Sequence, residues 1–93
     1  MTREIAETLA IQVLAFLAGE PERLARFLAL SGLEAQDLRR AAAQPGFLAG
    51  VLEYATGDEA LLLEFAAHAA VDPAALLRAR AALGGDMWER DMP

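Results

Sequence analysis

Apolar residues recur along the chain at the spacing expected of amphipathic helices. In the first two segments they are separated by four, three or one positions, which places them on one helix face: Leu9, Val13, Phe16 and Leu17, then Leu24, Phe27 and Leu28. No segment alternates apolar and polar residues with the period of two that marks a half-buried strand. The pattern therefore predicts an all-α protein.

Glycine and proline residues divide this pattern into six predicted helices. Pro21 and Pro73 stand where the first turn of a helix tolerates proline, and Pro45 with Gly46 interrupts the chain between its halves. The predicted helices cover residues 2–18, 21–30, 35–43, 46–56, 59–69 and 73–83. A chain of 93 residues has room for one core. We therefore expect a single compact bundle of five to six short helices over residues 1–83.

The two halves of the chain are related by an offset of 38 positions, which aligns residues 13–43 with residues 51–81 without a gap. Because alanine and leucine matches can arise by chance here, the informative pairs are the glycine, phenylalanine and acidic ones: Gly19 with Gly57, Phe27 with Phe65, Glu20 with Asp58, and Glu34 with Asp72. We expect an internal pseudo-repeat of a three-helix unit, over about residues 2–43 and 46–83. The halves should cover each other around a pseudo-two-fold axis, with Phe16 and Tyr54 in matching places.

The first corner of each unit combines a glycine with an acidic residue. We expect Gly19 and Gly57 to close their helices in the left-handed conformation, which glycine adopts without steric cost. Glu20 and Asp58 are expected to accept hydrogen bonds from the free N–H groups of the next helix.

Residues 84–93, with the sequence GGDMWERDMP, lie beyond the last predicted helix. The two glycines are expected to stop that helix, and the residues that follow have no helical periodicity, so we predict a mobile tail. Met87 and Trp88 are large apolar residues without a predicted core to join. Since methionine and tryptophan are common anchors in binding surfaces, these two are the candidate partner-binding residues.

Charge and composition narrow the classes of partner and site. The chain has 14 acidic and 8 basic residues, for a net charge of −6, which disfavours nucleic acid and anionic lipid surfaces as partners. The absence of cysteine removes disulfides, thiolate nucleophiles and cysteine zinc sites. No apolar run reaches the length of a membrane span, and Glu4 and Glu7 cancel the positive start of a signal peptide. We therefore expect a cytoplasmic protein that does not bind membranes.

Three stretches of the chain carry a resemblance to a known family. They are LAIQVLAFLAGEPERLARFLALSG at residues 9–32, DEALLLEFAAHAAVDP at residues 58–73 and RARAAL at residues 78–83. Their order and content resemble domain of unknown function family 3572, small helical proteins found mainly in alphaproteobacteria. The resemblance covers nearly the whole chain apart from its tail, and it implies a helical cytoplasmic bacterial protein. It brings no activity, cofactor or site residue with it.

His68, the single histidine, follows Glu64 by one helical turn. The two could share a ligand or form an acid–base pair, which defines one alternative function: a small ligand-binding or enzymatic domain. Catalysis or metal binding would need further converging groups. The simpler interpretation is a half-buried histidine near a helix C-terminus, where a partly positive imidazole suits the helix dipole.

A weaker alternative is helix-turn-helix binding of DNA through Arg39 and Arg40. The surrounding charges argue against it, because acidic residues offset nearly all of the arginines in residues 21–43. The Asp37 carboxylate, one turn before Arg40, instead suggests a local ion pair.

The leading hypothesis is a non-catalytic helical protein-interaction module. The duplicated apolar bundle supports it, as does the lack of a phosphate loop, a nucleophile elbow or a dinucleotide fingerprint. We expect no catalytic residue, metal site or cofactor. A homodimer is its simplest form, because an alanine- and leucine-rich helix left partly uncovered would self-associate.

Overall fold

The computed structural model describes the backbone of residues 1–91 and the side chains of residues 1–44 and 46–84. Within these residues six helices follow one another, with a 3-10 turn (Ala35–Asp37) directly before the third: α1 (Arg3–Ala18), α2 (Pro21–Ser31), α3 (Leu38–Ala41), α4 (Pro45–Thr56), α5 (Glu59–Ala69) and α6 (Pro73–Asp91). Residues 1–91 contain no strand. The prediction of an all-α bundle is confirmed.

The bounds of α1, α2, α4 and α5 lie within one residue of the predicted ones. The predicted helix over residues 35–43 is instead a 3-10 turn followed by the four residues of α3. So short a segment, bounded by the Gly32 corner and by Pro45, forms too few hydrogen bonds to offset the cost of starting a longer helix.

The last helix continues past the glycine pair at which we expected it to stop. α6 runs through Gly84 to Asp91. Glycine permits a left-handed end but does not impose one, and in a helix interior it costs only about 1 kcal/mol relative to alanine. Leu76, Ala79 and Leu83 bury α6 before the glycines, which holds the helix in place. The mobility of residues 84–93 stays a prediction, and Met92 and Pro93 lie outside the described residues.

The left-handed residues lie at the second corner of each unit and not at the first. Gly19 and Gly57 are right-handed, with φ of −72° and −80°, so the expectation for these two glycines is wrong. Positive φ occurs instead at Gly32 (75°) and at Ala70 (54°), which are also 38 positions apart. At the first corner an extended residue follows the glycine and starts the next helix directly, so no left-handed residue is needed there.

The acidic residues of the first corner behave differently in the two units. The Asp58 carboxylate accepts a hydrogen bond from the Leu61 N–H at 3.2 Å and so caps α5. The Glu20 side chain makes no such bond, and pairs with Arg23 at 3.1 Å. The extra methylene of glutamate carries its carboxylate past the backbone N–H groups, which explains why only the aspartate acts as predicted.

Helices α1, α4 and α6 pack against one another at the centre of the bundle. The largest fully buried side chains come from these three helices and from α5: Val13, Leu17, Val51, Leu52, Phe65 and Leu76. Each contributes about 1.5–3 kcal/mol by leaving water. Helix α2 lies against α1 and contributes one buried residue, Phe27, so most of its surface remains open.

Two aromatic contacts join the halves in a reciprocal way. The Phe16 and Phe65 rings are 5.5 Å apart between centroids and inclined at 73°, and the Tyr54 and Phe27 rings are 5.1 Å apart and inclined at 70°. The offset of 38 converts the first pair into the second. Each half therefore places a phenylalanine of its second helix against an aromatic ring on the first helix of the other half, which is how contacts across a two-fold axis are arranged.

Candidate interaction groove

An apolar groove lies between α2 and α4, and we call it the α2–α4 groove. Its volume is about 330 Å³, and seven residues line it: Phe27, Leu30, Ser31, Gly46, Phe47, Gly50 and Tyr54. None of these side chains carries a charge. Leu30 is 71% exposed at its edge, although it is a large apolar residue.

Two glycines of α4 leave the space that forms the floor of the groove. Gly46 and Gly50 are four residues apart, so they lie on the same helix face. A Cβ atom built on either one would meet no atom within 4 Å. Neither glycine is therefore required by close packing in the described structure, although glycine in a helix interior is unfavourable by about 1 kcal/mol relative to alanine.

Aromatic rings form the inner wall of the α2–α4 groove. Phe27 is 3% exposed and stands edge-on to two rings of α4, Phe47 at 5.9 Å and Tyr54 at 5.1 Å between centroids. Rings held on both sides in this way lose little further freedom when they contact a ligand. The wall is therefore preorganised for an apolar side chain.

Tyr54 also lines an adjoining cavity, whose charged residues are of both signs: Arg23, Arg26, Asp58 and Glu64. Glu64 is paired with Arg23, and the Asp58 carboxylate caps α5. The Arg26 side chain is exposed and has no carboxylate partner among the side chains that the structure describes. An acidic group next to an apolar anchor would therefore find a free guanidinium at this edge of the groove.

A second groove stands in the repeat-related place between α1 and α5. This α1–α5 groove has a volume of about 380 Å³ and six lining residues: Gln12, Ala15, Phe16, Phe65, His68 and Ala69. Five of them are offset by 38 positions from residues that line the α2–α4 groove. Gln12 takes the place of Gly50, and His68 takes that of Leu30. Of these two equivalent grooves between the halves, the α2–α4 groove is thus apolar and the α1–α5 groove is more polar.

The residues of the proposed acid–base pair lie in different surroundings. Glu64 forms an ion pair with Arg23 of α2, which also pairs with Glu20, and the Arg23 guanidinium carbon lies 4.5 Å from the Phe16 ring centroid. The His68 ring lies 5.0 Å from the same ring. His68 is exposed, so our expectation that it is half-buried is wrong: it stands at the outer edge of the α1–α5 groove.

The remaining candidates of the sequence lie apart from both grooves or beyond the described side chains. Arg39 and Arg40 are exposed on α3, whose four residues make a single helical turn. Asp37 and Arg40 form no ion pair in the described structure. The side chains of Met87 and Trp88 lie outside what the structure describes. Among the described residues, no three histidine, aspartate or glutamate side chains are grouped as a metal site would require.

The chain matches the family model described as "Protein of unknown function (DUF3572)" over residues 3–86. It belongs to this family. No curated protein and no solved structure matches the chain. Both grooves lie within the matched residues of the DUF3572 domain, whereas Met87 and Trp88 lie just beyond them.

One further comparison concerns membranes. In the described part of the chain, no single helix has the length and hydropathy of a membrane span. Only α5 and Pro73–Gly84 of α6 pass that test together, as a pair bent by 108°.

Reasoning from the sequence did not identify the α2–α4 groove. The sequence signal for this groove was the spacing of Gly46 and Gly50 in a segment predicted to be helical, together with the apolar Leu30 near the end of α2. We interpreted Pro45 and Gly46 as the break before the helix over residues 46–56, and they are the first two residues of α4.

Proposed function

We propose that this protein is a non-catalytic helical interaction module that binds an apolar side chain of a protein partner in the α2–α4 groove. The observation that carries the proposal is the open floor at Gly46 and Gly50 beneath a preorganised aromatic wall. Filling such a groove with one large apolar side chain would contribute about 1.5–3 kcal/mol to binding. A contact of this size is typical of the few residues that dominate an interface.

The position of Leu30 supports the same proposal. Its side chain is the most exposed of the large apolar residues that the structure describes, and it stands at the edge of a concave apolar surface and not alone on a convex one. Single exposed apolar residues need no explanation, but one that extends a groove is typical of a binding site.

Site-specific photo-crosslinking tests the proposal. A photo-crosslinking amino acid replaces Leu30 in one variant and Leu63 in a matched control, since Leu63 is 50% exposed but lies on α5 and lines neither groove. We expect a protein adduct, with a second copy or with a foreign protein, at position 30 and little at position 63. The additional substitution Gly50→Leu fills the groove, and it should remove the adduct at position 30. Equal crosslinking at both positions, or adducts that survive Gly50→Leu, would contradict the proposal.

A further inference from the structure

We infer that the groove is filled by the C-terminal segment of a second copy of this chain, residues 84–93, with Trp88 as the inserted side chain. This inference rests on the proposed function, because it names the partner of the same α2–α4 groove. Two copies that exchange these segments would each fill the α2–α4 groove of the other and form a closed dimer.

The size of the α2–α4 groove favours one large side chain over a whole helix. A volume of about 330 Å³ lies at the lower end of the range for small-molecule pockets. Trp88 is the only tryptophan in the chain, and it follows Met87 in a segment that starts after Leu83, the last buried residue described in α6. An indole presents a large apolar surface that matches the groove wall of Phe27 and its two aromatic neighbours.

The net charge of the segment is opposite to that of Arg26 in the cavity next to the groove. Residues 84–93 contain three acidic residues, Asp86, Glu89 and Asp91, against the single base Arg90. Arg26 lines the cavity that shares Tyr54 with the groove, and Asp58 and Glu64 line it too. Glu64 is paired with Arg23, whereas Arg26 has no carboxylate partner among the described side chains. An acidic segment would therefore gain an ion pair there, although the chain as a whole has a net charge of −6 and two copies otherwise repel each other.

The course of α6 favours a second copy over the same chain. α6 is one continuous helix, Pro73–Asp91, and it packs against α1 and α4. On α4, the core-facing residues Leu48 and Leu52 lie about 160° around the helix axis from the groove-facing glycines. A helix held on the core side of α4 reaches the opposite side of its own α4 only by breaking. It reaches the groove of a neighbouring molecule intact.

The full-length protein allows a direct test, because its only tryptophan is the proposed ligand. Sedimentation velocity and tryptophan emission are followed over the same range of protein concentrations. We expect a dimer to form, and the emission of Trp88 to shift to shorter wavelength along the same binding curve as the indole leaves water. A synthetic peptide of residues 84–93, added in excess, should dissociate the dimer.

Matched variants separate the groove from the fold. Gly50→Leu should weaken dimerisation by at least about tenfold, because it occupies the space of the indole. Gln12→Leu is its control, since Gln12 takes the repeat-related position in the α1–α5 groove, and it should leave dimerisation unchanged. Circular dichroism checks that both variants fold. Leu30→Glu is a second groove variant, at a side chain so exposed that the fold tolerates the charge, and it should weaken dimerisation as well.

The outcomes distinguish this inference from the proposed function. An adduct between position 30 and residues 84–93 of another copy supports both. An adduct with a foreign protein, or with a different part of a second copy, overturns the inference and leaves the proposed function standing. A dimer that Trp88→Ala does not weaken also overturns it, as does a chain that remains monomeric with constant emission at high micromolar concentration. The absence of any groove-dependent adduct overturns the proposed function too.

Discussion

The substitution Ala70→Gly should stabilise this protein although it removes a methyl group and no contact replaces it. Ala70 ends α5 with φ of 54°, a left-handed conformation that a side chain makes unfavourable. The conformation is held in place, because the N–H group of Val71 donates to the Ala66 carbonyl at 2.9 Å and the partly buried Val71 packs on the core. The strain therefore persists in the native state, and glycine would relieve it.

The expected size follows from two opposing terms. A left-handed alanine costs roughly 1–2 kcal/mol, while the greater freedom of glycine in the unfolded chain costs about 0.4–1 kcal/mol. The difference predicts a gain of about 0.5–1 kcal/mol in the free energy of unfolding. Gly32→Ala is the reverse experiment at the repeat-related position: φ is 75°, and a Cβ atom would meet nothing within 4 Å, so conformation alone decides the effect. We expect a loss of similar size there.

Urea unfolding followed by circular dichroism measures both changes, and a matched shift of about 4–8 °C per kcal/mol is expected in thermal unfolding of a domain of this size. Ala67→Gly serves as the control, since Ala67 is exposed in the last turn of α5 with a right-handed helical backbone, and glycine there should destabilise by up to about 1 kcal/mol. If Ala70→Gly destabilised the protein as Ala67→Gly does, the reasoning from the left-handed corner would be refuted.

Three further predictions concern the core, the groove floor and the ion pair between helices. Phe65→Ala should destabilise by about 3–5 kcal/mol in chemical unfolding, because Phe65 is 1% exposed, and a double-mutant cycle with Phe16→Ala should give a coupling of about 0.5–1.5 kcal/mol. Gly50→Ala should raise the unfolding midpoint, with a gain of up to about 1 kcal/mol, because the new methyl group meets open space inside a helix. Arg23→Ala should reduce the free energy of unfolding by about 1 kcal/mol in total, measured by urea unfolding. The partly exposed ion pairs with glutamates and the stacking on Phe16 should each contribute about half of this loss. Glu64→Gln should cost less than Arg23→Ala, and the difference should shrink in 1 M salt, at which surface charges are strongly screened.

These three predictions have distinct contrary results. Additive effects of the Phe16 and Phe65 substitutions would show that the rings do not interact beyond their burial. A destabilising Gly50→Ala would mean that the groove floor is closed in solution. An Arg23 variant with full stability at low salt would show that the ion pair between α2 and α5 does not stabilise the protein.

The sequence by itself determined the helical fold and the position of most helices. Spacing of apolar residues marks a helix face locally, and proline and glycine mark the ends, so the bounds of α1, α2, α4 and α5 could be predicted to within a residue. Membership of the DUF3572 family was also visible in the sequence, because motif order survives without coordinates. The wrong predictions also concern local conformation. Whether a glycine adopts the left-handed or the right-handed conformation depends on the direction of the following helix, and so the prediction for Gly19 and Gly57 was wrong.

Only the tertiary structure decided which helix surfaces remain uncovered and which distant residues form contacts. The α2–α4 groove depends on how far α4 lies from α2, which no spacing within one helix specifies. The ion pair of Arg23 with Glu64 joins residues 41 positions apart, and it draws Glu64 to α2 although the sequence suggested a partner one turn away. Local periodicity determines which face of a helix is apolar, but packing between helices decides which part of that face remains uncovered.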